Sequence, residues 1–195
     1  TARGVMAGLV AAAEHRWGSA DIDGRVVALQ GCGNVGATLA RTLAESGAHL
    51  VLADLDHQRA LDLAEELGAT AVPTVGIYDV EADIFSPCAL GSILDDTTIP
   101  RLRVQIIAGA ANNQLAEDRH AQALDDRGIL YAPDFVINAG GVISGSVALL
   151  NETEEEMVRR VDGIADTMRD VLDRAARERI TTLRAAELRA EQALA

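Results

Sequence analysis

Lysine is missing: all 17 basic residues of the 195 are Arg, set against 30 acids for a net charge of −13. No side-chain amine can therefore shed its proton near neutrality, because Arg stays protonated. So acidic a chain repels nucleic-acid phosphates over its surface, which excludes nucleic acid as a partner class. Only two cysteines occur, Cys32 and Cys88, with no CxxC pattern and no neighbouring His. That excludes a zinc site and a disulfide scaffold, leaves no metal expected, and suits the cytoplasm. Aromatics are only 3%, so Ala, Val, Leu and Ile must build the core. No apolar run reaches the ~20 residues of a membrane span. The N-terminus lacks a secretory pattern, and because the chain starts at Thr1 in helical sequence it reads as an excised piece.

What is present is a strand–helix alternation without repeats or low-complexity tracts. Helices are expected at 2–16 (ended by Trp17-Gly18), 34–46 and 57–67. Strands are expected at 26–30, 49–53, 70–72, 83–86, 104–108 and 129–131. The strands are continuously apolar rather than alternating, so both faces are buried. That pattern predicts an α/β fold, a doubly wound parallel sheet of Rossmann type with additional C-terminal helices, whose loops gather on one edge. Residues 1–150 form the expected nucleotide-binding domain. Residues 151–195 form a helical segment packed on it or on an absent catalytic domain. Within the segment, Met157, Val161, Ile164, Met168, Val171, Leu172 and Ala175 predict one long amphipathic helix over 153–178. Thr182 would then cap a last helix through 194. The acids from Glu152 to Glu156 suit the start of that long helix.

The chemical signal is Gly31-Cys32-Gly33-Asn34-Val35-Gly36. Three glycines in six residues carry little weight alone. Here they follow an apolar strand, open a helix, and precede Asp54 at the end of the next strand. Gly31 permits the turn, Gly33 admits a pyrophosphate to the backbone, and Gly36 lets helix and strand pack closely. The helix N-terminus with Asn34 and Val35 offers N–H groups to phosphates. Asp54 would bind the adenosine ribose and repel a 2′-phosphate, which favours NAD as cofactor over NADP. The bland alternative is a tight turn followed by a capping Asp. The methyltransferase alternative needs a different glycine spacing. Three further stretches follow strands and read as loops on the same edge: Ser86–Gly91, Ala108–Gln114 and Tyr131–Val142. Asn112 and Asn138 carry amides suited to a carboxamide or to a substrate's polar groups, or else they stabilise turns. His15, His49, His57 and His120 are scattered, with no carboxylate placed to form a dyad.

Thr1-Ala2-Arg3-Gly4-Val5, GCGNVG, SPCALG, IAGAANNQL and GILYAPDFVINAGGVI follow one another in an order that resembles the glutamate/leucine/phenylalanine/valine dehydrogenases. The likeness is nearest the leucine and phenylalanine branch and extends over the whole chain. It implies the NAD-binding domain of an oxidoreductase that deaminates an L-amino acid, branched-chain or otherwise apolar, to a 2-oxo acid and ammonia. By position it implies cofactor contacts at Thr1, Gly31, Gly33, Asn34, Val35, Gly36, Asp54, Cys88, Ala89, Ala110, Asn112 and Asn138. It also implies substrate contacts at Asn112 and Val142. The family's catalytic lysines and aspartate lie in an N-terminal domain ahead of the Thr1 position, so no catalytic residue is expected in this chain. Ser144-Gly145-Ser146 departs from bulkier family residues and leaves the substrate side chain undefined. A homo-oligomer is expected, with residues 153–194 as a possible arm. The alternative is a free-standing, non-catalytic NAD(H)-binding or redox-sensing module.

Overall fold

The computed structural model describes residues 1–150 and 153–194. Six strands form one sheet: β1 (Val26–Gln30), β2 (His49–Ala53), β3 (Thr70–Ala71), β4 (Ile84–Pro87), β5 (Ile106–Ile107) and β6 (Leu130–Tyr131). Their spatial order is β3-β2-β1-β4-β5-β6 and every neighbouring pair is parallel. The doubly wound fold is therefore as the apolar strands predict. The last two strands are shorter than expected, at two residues each.

Alternation along each strand divides the interior into two cores. Val27, Leu29, Leu50, Leu52, Ile84 and Ile106 face one. Ala28, Ala53, Phe85 and Ile107 face the other. Such two-sided burial is what a continuous apolar strand encodes. The first core is closed by α1 (Ala2–Trp17), α2 (Asn34–Glu45) and the C-terminal helices. Helix α3 (His57–Leu67) follows β2. Gly18 ends α1 and Gly68 ends α3, each in the left-handed conformation that favours glycine.

Several elements depart from the sequence expectations. Helix α4 (Arg119–Asp126) is short and mostly polar, and the 3-10 turns at Thr74–Asp79 and Ile99–Arg101 are too brief to carry an apolar period. The stretch 131–142, expected as a loop, holds the short helix α5 (Asp134–Ile137) and the start of α6 (Gly140–Leu150). The single helix expected over 153–178 is two, α7 (Glu154–Asp162) and α8 (Ile164–Glu178), interrupted at Gly163. Glycine's low helix propensity weakens the run there while the apolar spacing continues through it. Glu154, Glu155 and Glu156 occupy the first turn of α7, behind the Thr153 cap; Glu152 lies outside the described residues. The cap of α9 (Thr182–Leu194) is Thr181, whose hydroxyl accepts from the Arg184 N–H at 3.2 Å. Thr182 instead donates its hydroxyl to the Tyr131 carbonyl at 2.6 Å.

The C-terminal helices fold back on the sheet domain. Met168, Val171, Leu172 and Ala175 of α8 share the first core with Val5, Leu9 and Ala12 of α1. Small residues on α1 permit the approach of its neighbours: a Cβ at Gly8 would lie 2.2 Å from Ile137 Cγ2 of α5, and one at Gly4 would lie 2.7 Å from Ile164 Cδ1 of α8. Arg3–Asp162 and Arg169–Glu14 ion pairs run along the exposed rim, where such pairs contribute little.

Candidate functional site

After β1 the chain turns to β2 and β3 on one side, then crosses back to β4 on the other side of β1. The carboxyl ends of β1 and β4 therefore flank the switch point where open α/β sheets form a crevice. Gly31, with φ +101°, starts the turn after β1. A Cβ there would meet Ala89 N at 2.8 Å, so the loop after β4 lies directly against the glycine loop. At Gly36 a Cβ would lie 1.8 Å from the Gly31 carbonyl oxygen and 3.2 Å from Cys88 Cβ. Gly36 thus seats α2 on the strand end. Gly33 differs: it is exposed, and a Cβ on it would meet nothing within 4 Å.

Helix α2 starts at Asn34 with no side-chain cap and no acid in its first turn. By contrast, Asp56 caps α3 and Thr153 caps α7. The first N–H groups of α2, with the positive end of the helix dipole, are available to an anion. The loop is braced from below by Asp54, which is 8% exposed. Asp54 Oδ2 accepts the Cys32 N–H at 2.7 Å, and Oδ1 accepts the Asp56 N–H at 2.9 Å. Burial, then the Asp54 charge, push the Cys32 thiol up to about 11. Burial likewise raises the Cys88 thiol, which lies 3.7 Å from the Ser86 hydroxyl. Both thiols are free and protonated, and neither is poised as a nucleophile.

The loops after β4, β5 and β6 interlock. Ala111 N–H donates to the Pro87 carbonyl at 2.9 Å, and a Cβ on Gly109 would lie 2.2 Å from that same oxygen. Fully buried Gln114 donates its amide to the Gly109 and Ala111 carbonyls at 2.9 and 3.0 Å. Its backbone N–H donates to Asp134 Oδ2 at 3.0 Å. Gln114 and Asp134 went unremarked in the sequence because polar side chains buried to shape a loop carry no periodic mark. On this frame, Asn138 Nδ2 donates to Asn112 Oδ1 at 2.7 Å. It also donates to the Ala110 carbonyl at 3.5 Å. The Thr1 hydroxyl stands 2.8 Å from where a Gly141 Cβ would be, so the start of α1 abuts the same segment.

Val142 is 78% exposed on α6 and lines a groove of about 750 Å³ together with Phe135, Ile143, Ile164, Ala186 and Ala190. Ser144 and Ser146 return their hydroxyls to the Gly140 and Ile143 carbonyls, at 2.8 and 2.9 Å. The structure thus gathers the glycine loop, Asp54, Cys88 and Ala89 at the switch point. Ala110, Asn112, Asn138 and Thr1 form a second group further along the same edge, with Val142 beyond them. His120 corrects the view of four isolated histidines: it is buried, accepts the Glu117 N–H on Nδ1 at 3.0 Å, and lies 3.2 Å from Asp96 through Nε2. With both nitrogens engaged it ties α4 to the segment just before it and to the loop after β4. Among the described residues no cluster of three metal-ligating side chains occurs, and no helix is long and apolar enough to cross a membrane.

The sequence pattern of the Glutamate/Leucine/Phenylalanine/Valine dehydrogenase family matches residues 52–194. The chain belongs to that family. It is 45% identical to a leucine dehydrogenase of Bacillus cereus over all 195 residues, and this match covers 53% of the relative. It is 47% identical to an L-tryptophan dehydrogenase of Nostoc punctiforme over 192 residues, or 54% of that protein. The chain thus spans about half the length of the curated relatives it matches. A crystal structure of L-tryptophan dehydrogenase from Nostoc punctiforme superposes with a TM-score of 0.96 at 45% identity, covering 98% of this chain and 58% of the other. The hetero-hexameric glutamate dehydrogenase of Thermus thermophilus, with a TM-score of 0.70 at 24% identity, shares the fold.

Proposed function

We propose that this chain is the NAD-binding half of an amino-acid dehydrogenase acting on an L-amino acid with an apolar side chain, branched-chain ones included. The observation that carries the reading is the convergence at the switch point of an open glycine, an uncapped helix start and a buried carboxylate. These groups fit the dinucleotide chemically. The N–H groups of Asn34, Val35 and Gly36 would hold the pyrophosphate, with the chain at Gly33 leaving it room. A carboxylate offers about four acceptor sites, so Asp54 keeps capacity for a ribose hydroxyl beyond its two backbone donors and the Arg59 guanidinium. Leu55 and Val75, 77% and 74% exposed, offer apolar cover for an adenine next to it. Thr74 holds that region in place by donating its hydroxyl to the Asp54 carbonyl at 2.8 Å.

Bound NAD would accept the hydride from the α-carbon, and water would then displace the nitrogen from that carbon, giving a 2-oxo acid and ammonia. The residues of this chain bind and orient. Cys88 and Ala89 wall the groove, while Thr1, Ala110, Asn112 and Asn138 approach the carboxamide end. Asn112 also reaches toward the substrate, and Val142 borders its side chain. With no Lys among the 195 residues, proton transfer falls to groups of an N-terminal catalytic domain. Association with further copies and a cytoplasmic setting belong to the same reading; the Thermus relative is itself described as a hetero-hexamer.

The test is a fluorescence titration with NADH of this chain and of Asp54→Ser, with thermal unfolding as the fold control. Saturable binding that weakens at least about tenfold in the folded variant supports the reading. A folded chain that does not bind NADH would falsify it.

A further inference from the structure

A cavity of about 430 Å³ lies where α1 and α8 end and the chain enters β6. It is away from the carboxyl ends of β1 and β4 that form the crevice. Arg16 and Arg179 both border it, and neither has a hydrogen-bond or ion-pair partner among the described residues. The nearest acids in sequence are engaged elsewhere. Glu14 accepts from Arg169 at 3.0 Å, and Glu178 pairs with Arg174 at 3.1 Å and Arg177 at 3.7 Å. His15 and Asp125 are the other ionisable side chains at the cavity apart from Tyr131, while Ile129, Leu172, Ala175 and Ile180 give it apolar walls.

A cation in a helix's last turn offsets the helix dipole, which accounts for Arg16 in α1 and Arg177 in α8. It does not account for Arg179. That residue follows α8 with φ 55° and ψ 49°, the left-handed conformation. The same position holds Gly18 after α1 and Gly68 after α3, because a side chain is disfavoured there. The backbone therefore favours glycine, and the chain instead carries a long cation that no described residue neutralises. With His15 neutral, Arg16, Arg179 and Asp125 leave one net positive charge at the cavity. That balance suits one negative charge better than a phosphate dianion. Guanidinium forks match a carboxylate, and the apolar walls match a short hydrocarbon body. We propose that this cavity binds a small monocarboxylate with an apolar body, its head held by Arg16 and Arg179. The proposal is independent of the dinucleotide reading of the crevice.

The experiment is a calorimetric titration of the chain with hexanoate, with hexanol and inorganic phosphate as comparisons. It is repeated on Arg16→Ala, Arg179→Gly and Asp125→Asn, each checked by thermal unfolding. Hexanoate is expected to bind saturably in about the millimolar range, and hexanol and phosphate at least about tenfold more weakly. Arg16→Ala and Arg179→Gly should each weaken hexanoate by about tenfold or more. Glycine relieves the backbone at 179, so Arg179→Gly should unfold no earlier than the parent chain while its hexanoate affinity falls. Asp125→Asn should tighten hexanoate by about three- to tenfold, a gain that a structural role would not produce. Hexanoate that fails to bind, or whose affinity is unmoved by both Arg variants, overturns the inference. So does phosphate or hexanol binding as tightly as hexanoate. An NADH affinity that falls in parallel with that for hexanoate would place the carboxylate in the crevice and overturn it too.

Discussion

The backbone N–H of Cys32 donates to Asp54 Oδ2 at 2.7 Å, joining the glycine loop to the end of the neighbouring strand across 22 residues. One carboxylate thereby fixes the loop's shape and stands at the crevice. Structural and binding roles of Asp54 should separate by substitution. Asp54→Asn keeps an acceptor for the Cys32 N–H; Asp54→Ala leaves that buried donor without one. Chemical denaturation should show Asp54→Ala destabilised by about 1–3 kcal/mol and Asp54→Asn by less. Equal losses in the two variants would mean that the hydrogen bond does not hold the loop.

The three motif glycines serve different ends, and two of them can be told apart in one experiment. A methyl group on Gly36 collides with the Gly31 carbonyl at 1.8 Å, while one on Gly33 meets nothing within 4 Å. Gly36→Ala should cost about 3 kcal/mol of stability, as overpacking does. Gly33→Ala should cost about 1 kcal/mol or less, the difference between two residues at a helix start. Its NADH affinity should nonetheless fall about tenfold or more, because the methyl occupies the phosphate's approach. Thermal melts and titrations of both variants settle the division; a Gly33→Ala chain that binds NADH normally removes the phosphate role from that position.

The sequence showed this much of the site because glycine at a forced turn, an apolar strand and an acid at a strand end are local properties. It also made the six parallel strands readable, since residues such as Val27, Ala28 and Leu29 had to be buried on both faces. What it concealed was decided between distant segments. Gly163 interrupts an apolar stripe without disturbing its spacing. Gln114 and Asp134 meet only once β5 and β6 are side by side.

Acid stability should depend on the loop after β4. Asp95 accepts the Thr97 hydroxyl at 2.7 Å, the Thr97 and Thr98 N–H groups at 2.8 Å each, and the Thr98 hydroxyl at 3.1 Å. These bonds, led by the Thr97 hydroxyl, hold its carboxyl down to about 2. A carboxyl depressed on folding stabilises the folded state above its unfolded value near 4. That contribution fades as the pH falls from there toward 2. Denaturation midpoints at pH 5, 3.5 and 2 should therefore fall less steeply in Asp95→Asn than in the parent chain. Parallel profiles would place the acid sensitivity elsewhere.

The two thiols should be slow to alkylate. Burial raises both, and Cys32 in addition sits beside the Asp54 charge. At pH 8 the thiolate fraction of Cys32, with its value near 11, is of order one in a thousand. Iodoacetamide labelling followed by mass spectrometry should find both positions largely unmodified under conditions that label an unfolded control fully. Rapid labelling of Cys32 in the folded chain would contradict the packing described for the loop.

The asparagine pair permits a test of cooperation. Asn138 Nδ2 donates to Asn112 Oδ1 at 2.7 Å, so each amide orients the other and neither is free to rotate. The pair then presents Asn112's amide N–H₂ and Asn138's carbonyl oxygen, a donor and an acceptor, the complement of a carboxamide. If the two act as a unit, Asn112→Ala should lose most of what Asn138→Ala loses, and the double variant should add little. Residues in direct contact show interaction energies of about 0.5–3 kcal/mol in such cycles. NADH dissociation constants for the four chains supply the cycle, with stability measured alongside. Because Asn112 is exposed and Asn138 only half-buried, neither single change should lower stability by more than about 1 kcal/mol. Additive losses in affinity would mean that the amides bind independently, and that their hydrogen bond merely ties the loop after β5 to the end of α5.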